Sequence, residues 1–154
     1  TAGSVAEFAA ASRVPVINGG DGSNEHPSQA LLDLYTIKSE LAGRGRGIDK
    51  LRIAMVGDLR YGRTVHSLCK LLCLFSDLQV VLVSPQELRM PQEIVQALEE
   101  SGHQVLQSDV LEESIAHVDI VYSTRIQEER FCSQEEADLY RGRFRLNQNV
   151  YTSH

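Results

Sequence analysis

Residues 51–84, "LRIAMVGDLRYGRTVHSLCKLLCLFSDLQVVLVS", decide the fold. The run Leu51 to Gly57 is apolar and contains β-branched residues, as does Leu78 to Ser84, and both are short enough to be strands buried on two faces. Between them Thr64 to Phe75 places apolar residues at helical spacing. A strand, a helix and a second strand in that order form a βαβ unit, whose strands lie parallel in one sheet. Working outward, "VPVIN" (14–18), "HQVLQS" (103–108) and "VDIVYST" (118–124) read as further strands. Helical patterns cover Pro27 to about Ala42, Pro91 to Ser101 closed by Gly102, Leu111 to Ala116, and Ser133 to about Arg141. The fold class expected is therefore α/β: a doubly wound, mostly parallel sheet with helices on both faces. "LAGRGRGIDK" (41–50) reads as a glycine-rich loop.

With 154 residues, 42% hydrophobic, the chain can bury one real core, with part of a second domain attached. Its longest apolar runs fall far short of the roughly 20 residues that cross a bilayer, and the opening "TAGSVAEFAAAS" has no basic region ahead of an apolar one. No membrane partner is expected. A net charge of -6 argues against general nucleic-acid binding, yet twelve arginines stand against three lysines. Arginine is the residue whose planar fork grips carboxylates and phosphates. Cys69, Cys73 and Cys132 cannot all pair with one another, and the first two are one helical turn apart, so buried thiols in a reducing compartment are expected.

In a doubly wound sheet ligands bind beyond the carboxyl ends of the strands, which directs attention to three post-strand segments. In "GDGSNEHPSQ" (20–29), Pro27 suits the first position of a helix, placing His26 at its cap and Ser28 and Gln29 in its first turn. Free backbone N–H groups and the helix dipole favour an anion or a developing oxyanion there, and favour a neutral imidazole that donates a hydrogen bond to a carbonyl. A polar cap and a solvated glutamine are the plainer reading of the same residues. "GDLRYGRT" (57–64) has the glycine spacing of a phosphate loop but carries Arg63 in place of lysine, bulky Arg60 and Tyr61, and Asp58. A triphosphate site is therefore not expected, and no GxGxxG follows any strand. What remains is Arg63 at a loop-to-helix junction, able to hold a carboxylate. In "YSTRIQEERF" (122–131), extended backbone would put Arg125 and Gln127 on one face, although pairing of Arg125 with Glu128 or Glu129 is the ordinary alternative. Arg63 and Arg125 on two such loops suggest a small molecule with two carboxylates. His66, His103, His117 and His154 read as structural or solvated.

The stretches "VPVINGGDGSNEHPSQALLDLYTI" (14–37), "MVGDLRYGRTVHSL" (55–68) and "YSTRIQEERF" (122–131) resemble three signature segments of the aspartate carbamoyltransferase family, which joins carbamoyl phosphate to L-aspartate. The resemblance implies a Rossmann-like fold and a set of site residues. His26 would hydrogen-bond the carbamoyl oxygen, Gln29 would hold the carbamoyl amide, and Arg63 and Arg125, with Gln127 beside them, would bind the aspartate carboxylates. It further implies that residues 1–23 close the carbamoyl-phosphate domain, 24–43 form an inter-domain helix, and 44–154 form the aspartate-binding domain without its C-terminal helix. The family's Ser-Thr-Arg-Thr loop and its later His-Pro-Leu-Pro-Arg-like loop do not occur in these residues, so the isolated chain is expected to be inactive or nearly so. Homotrimers, a cytoplasmic location, and catalysis without a metal or organic cofactor are also implied. Two other readings stay open: a non-catalytic dicarboxylate-binding or interaction module with this fold, and a carbamoyltransferase for another amine such as ornithine.

Overall fold

The computed structural model describes residues 3–22, 24–125, 138, 144, 146 and 147. Along the chain run α1 (Ser4–Ala11), α2 (Pro27–Ala42), β1 (Arg52–Val56), α3 (Arg63–Leu72), β2 (Gln79–Val83), α4 (Gln92–Glu100), β3 (Gln104–Ser108), α5 (Leu111–Ile115) and β4 (Ile120–Ser123). The four strands form one sheet in the order β3-β2-β1-β4, and every pairing is parallel. The chain thus builds outward from β1 through β2 to β3, then returns to place β4 on the other side of β1. That reversal opens a crevice at the carboxyl ends of β1 and β4, where a doubly wound sheet binds its ligands.

Strand residues alternate between two cores, as the two-residue period of a strand requires. Ile53, Met55, Val80 and Leu82 face a core completed by Val65, Leu68 and Leu72 of α3, Ile94 and Leu98 of α4, and Ala30, Ile37 and Leu41 of α2. Ala54, Val56, Val81 and Val83 face the opposite side, against Leu111 and Phe144. Both faces of β1 and β2 are covered, so after their first residues, Arg52 and Gln79, these two strands are apolar rather than alternating, whereas the edge strand β3 leaves Gln104, Leu106 and Gln107 exposed. The buried Cys69 thiol is pushed up to about 12, chiefly by burial, and behaves as packing rather than as a nucleophile.

One expected strand is absent. Val14 to Asn18 pairs with no strand, and Val14 and Ile17 are exposed. Its apolar, β-branched composition fits a ladder, but an extended segment becomes a strand only when a neighbour accepts and donates its backbone hydrogen bonds, and none of β1 to β4 does so. Of the expected helix from Ser133 to Arg141 only Asp138 is among the described residues, and Gln127 lies outside them.

Candidate functional site

The loop from Asn18 to Glu25 is the first wall of the crevice. Asp21, almost fully buried, accepts from the Gly3 amide (2.8 Å), the Asn24 side-chain nitrogen (3.1 Å) and the Ser4 hydroxyl (3.3 Å), so one carboxylate closes the loop and fastens it to the start of α1. The loop's exit is pinned to α3. Ser67 Oγ accepts from the His26 amide at 3.0 Å and donates to the Glu25 carboxylate, which also pairs with Lys70. Burial alone would raise the Glu25 carboxyl, but these hydrogen bonds from Lys70 and Ser67 outweigh it and hold the group below its ordinary value.

His26 caps α2, with Pro27 following at the first helical position. Its Nδ1 accepts from the Gln29 amide at 3.3 Å, with the Ser28 hydroxyl at 3.4 Å. A nitrogen that accepts an N–H carries no proton, so in the neutral ring the hydrogen resides on Nε2 and is available for donation away from the helix. Gln29, in the first turn, donates through Nε2 to Asp33 Oδ1 at 2.9 Å, and Asp33 Oδ2 accepts from the Tyr122 hydroxyl at 2.8 Å.

The second wall follows β1. Gly62 caps α3 and Arg63 is its first residue. The Arg63 guanidinium donates to the Gly22 carbonyl at 2.8 Å, and a β-carbon on Gly20 would lie 3.2 Å from Arg63 Nη1 and 3.5 Å from His26 Cδ2. The bare backbone of Gly20, at φ +131°, therefore lies against both side chains and brings them to one place. Phosphate-loop chemistry is closed off here: the Asp58 carboxylate itself takes the amides of Arg60 (3.1 Å) and Tyr61 (2.9 Å), which a phosphate would need.

The third wall follows β4. Gly57, at the end of β1, is so close to this segment that a β-carbon on it would stand 2.3 Å from the Thr124 carbonyl oxygen. The Thr124 amide donates to Val56 at 2.9 Å, which carries the β1–β4 pairing to the very lip of the sheet, and exposed Arg125 is the next residue. Thus His26, Gln29 and Arg63 stand together, Arg125 rises from the adjoining lip, and Gln127 lies outside the described residues. Sequence reasoning passed over Asp33, Ser67 and Tyr122. Asp33 could have been found as the partner four residues after Gln29 on one helix face. The other histidines are structural where they are buried: His66 meets the Leu59 carbonyl at 2.7 Å, and His103 donates to Leu72 at 3.1 Å while accepting from the Leu78 amide.

Residues 49–153 match the family model described as aspartate/ornithine carbamoyltransferase, Asp/Orn binding domain, and residues 1–39 match the carbamoyl-P binding domain of the same family. The aspartate carbamoyltransferase catalytic subunit of Saccharophagus degradans is 74% identical over 150 residues, covering 97% of this chain and 44% of its own length. Among solved structures, the catalytic subunit of M. jannaschii aspartate transcarbamoylase superposes with a TM-score of 0.84 at 43% identity, over 97% of this chain and 48% of that one. Aspartate transcarbamoylase from Trypanosoma cruzi in complex with carbamoyl phosphate and aspartate gives 0.75 at 39% identity, over 88% of this chain and 43% of that one. The chain spans about half the length of the curated relatives it matches.

Proposed function

We propose that this chain, which belongs to the aspartate/ornithine carbamoyltransferase family, supplies the aspartate-binding half of an aspartate carbamoyltransferase. In this reading the amino group of L-aspartate attacks the carbamoyl carbon of carbamoyl phosphate. The N–C bond forms, the bond from carbon to the phosphate oxygen breaks, the amine proton leaves with phosphate, and N-carbamoyl-L-aspartate, a pyrimidine precursor, is released.

The observation that carries the reading is the hydrogen bond into His26 Nδ1, which leaves a proton on Nε2 of a ring that, like the Arg63 guanidinium, lies against Gly20. A fixed neutral donor is what a growing carbamoyl oxyanion needs, since it stabilises charge without reorganising. Gln29 holds the carbamoyl amide, while Arg63, Arg125 and Gln127 take the two carboxylates and aim the amine, so the residues contribute orientation and electrostatics rather than covalent chemistry. Residues 1–23 are assigned to the end of the carbamoyl-phosphate domain, 24–43 to the inter-domain helix, and 44–154 to the aspartate-binding domain. The rest of the site would come from the other half of such a protein and from neighbouring subunits of a homotrimer. A reducing, cytoplasmic setting fits the free thiols of Cys69 and Cys73. No helix among the described residues is long and apolar enough to cross a membrane.

The test is formation of carbamoyl aspartate by the 154-residue chain alone and then mixed with a separately made carbamoyl-phosphate half. Activity only in the mixture is expected; turnover by the chain alone would mean that carbamoyl phosphate binds elsewhere and would overturn this site.

A further inference from the structure

Asp33 belongs to no role assigned above, yet it ties the first turn of α2, which carries Gln29, to β4, which leads to Arg125. Its Oδ1 accepts from Gln29 Nε2 at 2.9 Å and its Oδ2 accepts from the Tyr122 hydroxyl at 2.8 Å. One carboxylate on α2 is thereby linked to the first turn of its own helix and to β4, three residues before Arg125.

The consequence for Gln29 follows from donor and acceptor chemistry. An ionised carboxylate only accepts, so the end of the Gln29 carboxamide that faces Asp33 is its N–H2. Its carbonyl oxygen then faces the other way. A carbonyl acceptor recognises a group that donates, and the carbamoyl group carries N–H2 where an acetyl group carries a methyl. Tyr122 occupies the second carboxylate oxygen and so holds Asp33 against rotation. Burial and the neighbouring Asp33 carboxylate push the phenol up to about 12, so it remains a donor at neutral pH.

We propose that Asp33, braced by Tyr122, is a positioning residue that sets which end of the Gln29 carboxamide meets the acyl phosphate, and thereby selects carbamoyl phosphate over acetyl phosphate. This rests on the carbamoyltransferase reading above and deepens it. Without Asp33 nothing fixes either the rotamer or the end of the Gln29 carboxamide, and orientations that oppose two N–H2 groups or point the carbonyl elsewhere compete with the productive one.

The experiment measures, in the full-length protein that carries this sequence, the KM for carbamoyl phosphate and the inhibition constants of acetyl phosphate and inorganic phosphate. Asp33→Ala should raise the first roughly tenfold, the loss of one well-placed hydrogen bond, and leave the other two within about twofold. Asp33→Asn keeps a carbonyl oxygen that accepts from Gln29, and should recover most of the discrimination. Tyr122→Phe should lose a few-fold of it. A common shift of all three constants in Asp33→Ala, or no shift in any, overturns the proposal, because a merely structural residue does not tell a methyl from an amine. If Asp33→Ala does not fold, Asp33→Asn and Tyr122→Phe decide, with unchanged discrimination in both counting against it. A wild-type protein that forms no carbamoyl aspartate fails the underlying reading itself, whereas an active enzyme with unaltered discrimination fails only the role given to Asp33.

Discussion

His26 does two jobs that substitution can separate. Its Nδ1 caps α2 and its Nε2 proton is the one assigned to the carbamoyl oxygen. His26→Ala removes both, which should cost about 1 kcal/mol of stability from the lost cap and lower kcat on the order of a hundredfold from the lost donor. His26→Asn restores a good cap with a shorter side chain, so the melting temperature should recover while turnover stays low; recovery of both would place the donor elsewhere. Arg125 should behave differently, because a residue that grips the second substrate acts before the chemistry. Arg125→Ala is expected to raise the aspartate KM tenfold or more, about the worth of one charged hydrogen bond, with a smaller change in kcat. Arg63 is a poorer probe, since its guanidinium also holds the Gly22 carbonyl and its loss loosens the loop around His26. Steady-state kinetics that show equal effects on kcat and KM in both His26→Ala and Arg125→Ala would undermine this division of roles.

At the scale of elements, the site depends on how closely β1 and β4 end. Gly57 sits at φ +118°, and a β-carbon there would meet a backbone oxygen of Thr124 at 2.3 Å. Gly57→Ala should therefore destabilise by about 2 kcal/mol or more, from the strained φ and the forced separation of the two lips. Gly47→Ala, which meets nothing within 4 Å and has no positive φ, should be neutral. Urea midpoints compare the two, and equal values would refute this account of the lip. The strands from β1 to β4 were legible in the sequence to within two residues, β1 and β2 because parallel strands buried on both faces are nearly uninterrupted apolar runs, β3 and β4 as short runs bounded by polar and turn residues. The same signal misled at Val14 to Asn18, since composition records that a segment could pair and not whether a neighbour exists. His26 was legible through Pro27, a local cue. The Asp33–Tyr122 pairing was not, because it joins residues 89 apart along the chain and no local spacing records it, whereas the Gln29–Asp33 pair leaves a four-residue trace on α2.

Across the whole molecule, acid sensitivity collects in carboxylates that fasten elements together. Asp119, at the start of β4, accepts from Arg46 of the glycine-rich loop (2.8 Å), from the Arg52 side chain (3.1 Å) and from the Arg52 amide (2.9 Å). The Arg46 hydrogen bond leads in holding its carboxyl well below the ordinary 3.8, against the opposing pull of burial. Asp21, held by Asn24, and Glu25, whose bonds to Lys70 and Ser67 overcome burial, are lowered in the same direction. A carboxyl whose value is lower in the folded chain than in the unfolded one stabilises the fold above its unfolded value, and that contribution fades as pH falls below it. Stability should thus be level near neutral pH and decline below about pH 4, where unfolded carboxylates take up protons. Asp119→Asn fixes that side chain in a neutral form. The difference in unfolding free energy between wild type and variant should therefore be largest near pH 7, shrink as the pH is lowered through 4 toward 2, and shrink also in high salt, because the two arginines are half exposed and their attraction to Asp119 is screened. Urea titrations from pH 7 to pH 3 measure it. A difference that stays constant over that range would mean that Asp119 joins loop and sheet through its shape and neutral hydrogen bonds, with its charge contributing nothing.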